Sequence, residues 1–133
     1  MHAMLYTDGG ARGNPGPAGI GGVIFNEAQE VVAEISQFIG KATNNDAEYR
    51  ALLVTLTRAK ELGATEVHCF LDSQLVVKQM RREYKVKDKN LASLFIQVHN
   101  LSVQIGKVFF NHIPREKNSY ADRLVNEAID KAV

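Results

Sequence analysis

The feature that most restricts this chain is the crowding of glycine between Gly9 and Gly22, where seven of its ten glycines fall. Glycine loses more backbone freedom on folding than any other residue. Such a run is therefore kept where backbone must turn tightly or leave room for something bulky. The stretch opens with an apolar run, Met4 to Tyr6, that delivers one carboxylate, Asp8, to the end of a strand. A glycine- and proline-dense loop is expected to follow at once. It is not a phosphate cradle of the P-loop kind, because no lysine–serine pair closes it and the next element is a strand. A roomy turn with little side-chain bulk around Asn14 describes it better.

Length and charge narrow the class. At 133 residues the chain fits one domain, 1–133, able to bury most of its apolar surface. Sixteen Lys and Arg against fifteen Asp and Glu leave a net charge of +1, so bulk charge selects no partner. From Lys78 to Lys89, however, Lys78, Arg81, Arg82, Lys85, Lys87 and Lys89 face only Glu83 and Asp88. That run is either an anionic contact surface or a solvated helix face. The lone Cys69, inside apolar Val67 to Leu71, excludes an internal disulfide and reads as a buried small hydrophobe in a reducing compartment. No signal-peptide pattern opens the chain, and no apolar run reaches membrane-spanning length. A cytoplasmic monomer without membrane contact is expected.

Periodicity places the elements. Met4 to Asp8, Ile20 to Asn26 and Val31 to Gly40 read as strands joined by short connections, hence an antiparallel meander. Thr43 can cap a helix that Asp46 supports three residues later. Ala47, Ala51, Leu52, Thr55, Leu56, Ala59 and Leu62 then repeat at helical spacing until Gly63. Glu66 to Leu71 is a fourth strand, Gln74 to Met80 and Leu91 to Ile105 are helices, Val108 to Ile113 is a fifth strand, and Tyr120 to Lys131 is the last helix. The class is α/β with a mixed sheet. A right-handed crossover places strand four parallel to strand one, which then lies centrally. Ligands of such sheets bind beyond the carboxyl ends of the strands, where Asp8 and Asp72 sit.

Four acids thus fall at element ends. Each has a plain structural reading: Asp8 in an Asp-Gly turn, Glu48 and Asp122 in capping boxes, Asp72 as a cap of the following helix. Placement argues otherwise. Glu48 begins the face that carries Ala51 and Leu52, and Asp122 borders the Val125–Ile129 stripe, so both point inward. Four converging carboxylates repel one another, and one stays protonated unless a cation intervenes. Oxygen donors suit Mg²⁺ or Mn²⁺, whereas the histidines and Cys69 have no zinc-like spacing. Two such ions about 3.5–4 Å apart are a common device for phosphodiester hydrolysis.

The motifs Thr7-Asp8-Gly9-Gly10 with Gly13-Asn14-Pro15-Gly16-Pro17, Thr43-Asn44-Asn45 with Glu48, Asp72-Ser73-Gln74, and Ala121-Asp122 together resemble those of type 1 ribonuclease H, end to end. The resemblance implies a five-stranded mixed sheet in the order 3-2-1-4-5, flanked by helices. It implies endonucleolytic, Mg²⁺-dependent cleavage of the RNA strand of RNA/DNA hybrids by two ions, Mn²⁺ being a substitute, with 5′-phosphate and 3′-hydroxyl ends. Asp8, Glu48, Asp72 and Asp122 are then the catalytic, metal-binding acids. Asn14, Asn44, Asn45 and Gln74 match positions that contact the minor groove and the 2′-hydroxyls, the groups that distinguish RNA from DNA. Lys41 and Thr43 resemble a pocket for a DNA-strand phosphate, although Asp88 falls where the family often has an amide. Tyr84 could stack on a sugar or pack on the neighbouring helix. Duplex RNA is a second substrate of some compact members.

Two departures stand out. Lys78 to Asn90 is too short for the longer basic insertion of many bacterial members, so hybrid binding is expected either to be weaker and more salt-sensitive or to be compensated by Arg81, Arg82, Lys85, Lys87 and Lys89. Well-studied members also carry a mobile histidine before the last acid. His112 has that spacing but reads as strand, which leaves Arg115 or Glu116 in the flexible position as the favoured auxiliary group. A noncatalytic hybrid-binding module would lack one of the acids, and an integrase-like or junction-cutting nuclease would lack the Asn14, Asn44, Asn45 and Gln74 set.

Overall fold

The computed structural model describes residues 1–133. Strands β1 (His2–Ala11), β2 (Gly16–Phe25) and β3 (Val31–Ala42) form the antiparallel meander, and β4 (Glu66–Leu71) and β5 (Lys107–His112) extend it in parallel. The sheet order is β3-β2-β1-β4-β5, with β1 central. Helices α1 (Asn44–Glu61), α2 (Gln74–Met80), α3 (Lys89–Ile105) and α4 (Ser119–Ala132) complete the chain, with a single 3₁₀ turn at Arg115–Lys117.

Strand alternation sorts the side chains between two faces. Leu5, Ile24, Val67, Cys69 and Leu71 point to one side, where they pack with Tyr49, Leu52 and Leu56 of α1, Val76 and Val77 of α2, and Val98 and Leu101 of α3. On the other side α4 lays Ala121, Leu124, Val125, Ala128 and Ile129 over the meander. Helix α1 starts where its cap chemistry dictates. The Thr43 hydroxyl accepts from the Asp46 N–H at 3.2 Å, and Gly63, with φ of 88°, follows the last turn. The Asp46 carboxylate does not close a capping box; it meets the Asn90 amide at 3.4 Å.

The glycine run departs from expectation. It is mostly strand, not loop: β1 continues through Gly9 and Gly10 to Ala11, and β2 begins at Gly16, before the expected Ile20. Only residues 12–15 turn, with Gly13 at φ 103°. The strand glycines clear space for helices. A Cβ on Gly9 would overlap the Ala47 carbonyl of α1, one on Gly22 the Thr55 hydroxyl, and one on Gly21 the Ala121 carbonyl of α4. Their pleat alternation explains the division, since Gly9 and Gly22 face α1 and Gly21 faces α4. Both helices therefore rest directly on the backbone of the β1–β2 hairpin.

This arrangement separates neighbouring positions. A Cβ on Gly10 would lie 3.7 Å from the Val125 side chain, an ordinary contact. Gly9→Ala should destabilise the fold by about 3 kcal/mol or more, as forced overpacking does, while Gly10→Ala stays within about 1 kcal/mol. Urea unfolding of the two variants measures the difference, and equal losses would show that α1 can retreat freely.

Candidate active site

Asp8 and Asp72 each lie one residue past Thr7–Leu71, the last pair of the parallel β1–β4 ladder. Asp72 follows the end of β4, whereas Asp8, expected at a strand end, lies within β1, which continues to Ala11 paired with β2. Glu48 reaches them from the second turn of α1. It is 7 % exposed, and the Gly9 N–H donates to its Oε1. The same N–H contacts Asp8 Oδ1 at 3.0 Å. One oxygen from each of Asp8, Glu48 and Asp72 lies within 4.8 Å of the others. Asp122, in the first turn of α4, stands outside that trio but lines the same cleft and faces Asp8 closely enough to raise its pKa. The capping readings of Glu48 and Asp72 do not hold, because Thr43 and Ser73 cap those two helices.

The electrostatics follow from burial. Desolvation, and then repulsion from Asp72 and Asp122, lift Asp8 to about 7 despite its hydrogen bond with Glu48. Burial and the Asp8 charge raise Glu48 well above the usual carboxylate range. A cluster of this kind retains protons unless a cation replaces them. All its donors are carboxylate oxygens with no histidine or thiol among them, which fits a hard divalent ion such as Mg²⁺ or Mn²⁺.

One positioning residue escapes sequence reasoning. Asn118 is 1 % exposed, and its Nδ2 donates to the Thr7 carbonyl at 2.8 Å and to Asp72 Oδ2 at 3.2 Å. It ties the turn before α4 to β1 and to the residue that follows β4, while its own Oδ1 is buried without a partner. An asparagine just before a helix looks like an N-cap, yet its side chain makes no cap bond here.

The amides form a connected wall. The Asn14 Oδ1 accepts from the Asn44 N–H at 3.0 Å, and the Asn44 Oδ1 accepts from the Ala11 N–H at 2.8 Å. Both carboxamide oxygens are thereby spent on backbone, and the NH₂ ends stay available as donors. Asn44 and Asn45 line the acid cleft and also the neighbouring groove of Asn14, Thr43, Asp88 and Asn90, so the two depressions share one rim. Lys41 and Gln74 are exposed outside both. Asp88 is the N-cap of α3, accepting from Asn90 and Leu91, and the amide in that groove comes from Asn90.

The basic segment divides. Arg81 Nε donates to the Phe110 carbonyl at 2.7 Å, and Arg82 meets His99 at 3.2 Å, so these two are turned to the β5 flank. Lys107 and Ile113 use their N–H groups toward β4, which leaves the Phe110 peptide on the free edge of β5, where Arg81 covers it. Arg81 is thus engaged at the β5 edge, while Arg82 also borders the depression of Tyr84 and Lys85. Lys85 and Lys87 are exposed, and Tyr84 lies under the Lys78 ammonium at 4.8 Å. Of the auxiliary candidates, Arg115 lines the acid cleft; Glu116 and His112 do not, and His112 closes β5 as an exposed residue.

Comparison with known proteins agrees with this geometry. The family model described as reverse transcriptase-like matches residues 6–128. A bifunctional protein of Mycobacterium tuberculosis is 47% identical over 99% of this chain, which spans 36% of that protein, about a third. A ribonuclease HI of Halobacterium salinarum is 40% identical over 99% of this chain and 65% of its own length. The crystal structure of an RNase H1 from that archaeon superposes with a TM-score of 0.95 at 38% identity, covering 98% of this chain and 99% of the other. An RNase H1 obtained from compost by a metagenomic route, solved in complex with an RNA/DNA hybrid, superposes at 0.93 with 48% identity and 98% coverage of both chains. The chain belongs to the reverse transcriptase-like, ribonuclease H family.

Two outcomes follow from the site. Asp8 and Glu48 bind protons more tightly folded than unfolded, so their contribution to stability is complete below about pH 4. The Asp8 share is lost as pH rises through about 7, and the Glu48 share as pH rises through its own raised value. In cation-free buffer the melting temperature should fall between about pH 5 and about pH 8, Mg²⁺ should restore it at the upper end, and Glu48→Gln should flatten the fall. A cation-free profile that is flat for the unmodified chain removes the coupling. Asn118→Ala should cost about 1–3 kcal/mol in urea unfolding by stripping the Thr7 carbonyl and Asp72 of their donor. It should also weaken Mg²⁺ binding by calorimetry, and unchanged affinity would leave Asn118 a purely structural group.

Proposed function

We propose that the chain is an endonuclease that hydrolyses the RNA strand of RNA/DNA hybrids. The observation that carries this reading is the convergence of Asp8, Glu48 and Asp72, with Asp122 opposite, in a cleft rimmed by Asn44 and Asn45. The hybrid bound to the compost RNase H1 supports the same substrate.

In this reading Asp8, Glu48, Asp72 and Asp122 hold two Mg²⁺ ions, for which Mn²⁺ can substitute. The chemistry these ions supply is Lewis-acid activation of water and neutralisation of charge at the scissile phosphate. The chain contributes preorganisation. The Gly9 N–H fixes Glu48, Asn118 fixes Asp72, and Asp122 is held by the first turn of α4. Their positions are set by backbone, so little reorganisation accompanies the reaction. Arg115 enters the same cleft and is the favoured auxiliary group for the leaving oxygen or product release. The products carry 5′-phosphate and 3′-hydroxyl ends.

The amide wall supplies selection. Asn14, Asn44 and Asn45 offer NH₂ donors to base-edge acceptors and 2′-hydroxyls in the minor groove, with Gln74 beyond the α2 cap. Thr43 and Asn90 are neutral donors of a groove that also carries Asp46 and Asp88, so a DNA-strand phosphate there depends on exposed Lys41 outside it, while Lys85 and Lys87 add phosphate contacts from the loop.

Incubation of a labelled RNA/DNA hybrid with Mg²⁺, beside duplex DNA and duplex RNA, tests the proposal. The RNA strand of the hybrid should be cut and duplex DNA left intact, with any cleavage of duplex RNA slower. Asp8→Asn should abolish cleavage, as chelation should, while hybrid binding remains. Cutting of duplex DNA with an untouched hybrid would move the chain to a different nuclease class.

A further inference from the structure

The acid cleft continues beyond Asp122 along α4, where Val125, Asn126 and Ile129 form its wall and Arg12 borders it from the β1–β2 turn. Among its 15 lining residues, Arg12 and Arg115 are the cationic ones, against Asp8, Glu48, Asp72 and Asp122. They come from different elements, the hairpin turn and the 3₁₀ turn before α4. A phosphate backbone drawn across this floor meets repulsion except at bound cations and at these two side chains.

Arg12 is held in a way that leaves it usable. Its Nη2 donates to Asp130 at 2.6 Å and to the Asn126 Oδ1 at 3.3 Å, while Asn126 Nδ2 donates to the Asp122 carbonyl at 3.1 Å. Nε and Nη1 keep their protons without a protein acceptor. The Arg12 and Asp130 side chains are 43% and 65% exposed, and an ion pair so wet is worth little and exchanges readily. The backbone beneath is not free. The Arg12 N–H donates to the Pro17 carbonyl at 2.8 Å, and Asn44 bonds the residue before it. A planar guanidinium on a braced turn matches the paired oxygens of a phosphate.

We propose that Arg12 is a substrate-positioning residue whose guanidinium grips a backbone phosphate of the strand lying between the four acids and the Asn14 turn. Asp130 acts as a weak internal competitor that parks the side chain in the free protein. The inference rests on the hybrid-cleaving reading and extends it to a residue outside the family motifs. If the Arg12–Asp130 pair were only a staple between hairpin and α4, loss of either partner would act alike. A phosphate grip gives the two partners opposite signs.

The measurement is hybrid binding by fluorescence anisotropy across a salt series, in the noncleaving Asp8→Asn background with Mg²⁺ present. Arg12→Ala should weaken binding about 5–10-fold at about 0.1 M salt and lower the log–log salt slope by about one contact. Arg12→Lys should keep most of the slope but recover only part of the affinity. Asp130→Ala should bind as tightly as the parent or more tightly. In the cleaving enzyme Arg12→Ala should raise KM more than it lowers kcat. An unchanged slope in Arg12→Ala, or equal weakening by Asp130→Ala and Arg12→Ala, would overturn the grip. A parent that fails to bind the hybrid at all would overturn the hybrid reading itself.

Discussion

The close approach of α1 to the backbone of β1 at Gly9 governs the rest of the site. No side chain separates the helix from the strand there, because a Cβ on Gly9 would occupy the Ala47 carbonyl. The same proximity lets the Gly9 N–H donate to Glu48. An acid on a helix and an acid on a strand can share one small volume only if the elements carrying them touch. Gly21 repeats the device on the opposite face, bringing α4 and hence Asp122 to the hairpin. The glycine run is thus the steric condition for a four-element carboxylate cluster, and its entropic cost is offset by two helix–sheet interfaces.

The cluster is unfavourable taken alone, and the surrounding contacts are arranged to keep it assembled. Glu48 is buried and receives a backbone donor, and Asp72 is held by the Asn118 amide. Asp8 retains a pKa near neutrality because burial outweighs its hydrogen bond to Glu48. In the proposed reading, such a site would trade proton for cation as pH rises. Stability of the folded chain and loading of the site are therefore two views of one equilibrium.

The sequence makes the architecture and the acids legible for clear physical reasons. Element order, the start of α1 at Thr43 and the inward aim of Glu48 all follow from local periodicity and cap chemistry, which act over a few residues. What stays hidden depends on contacts between distant elements. The strand glycines look like a loop because glycine is common to turns and to close packing, and only the facing Ala47 and Ala121 carbonyls distinguish the two. Asn118 looks like a cap because its partners, Thr7 and Asp72, lie 111 and 46 residues away. Arg81 and Arg82 look like part of one basic surface, yet the exposed edge of β5 engages Arg81, and Arg82, with its left-handed backbone at φ 62°, meets His99. Asp88 likewise looks like an altered pocket residue until its cap bonds to α3 are seen.

On the proposed hybrid-cleaving reading, the amide ladder would select substrate shape without selecting sequence. Asn14 and Asn44 each spend the carboxamide oxygen on a backbone N–H, one of them an unsatisfied donor at the start of α1. What remains at the rim is a set of donors alone. Every base pair presents acceptors on its minor-groove edge, and the 2′-hydroxyl can accept as well, so donors find partners at any sequence. An amide free to turn either end outward would also accept and would discriminate guanine through its exocyclic amine. Fixing the oxygens removes that choice. On that reading, the two bonds that brace the turn against α1 are also the ones that would make the rim indifferent to sequence.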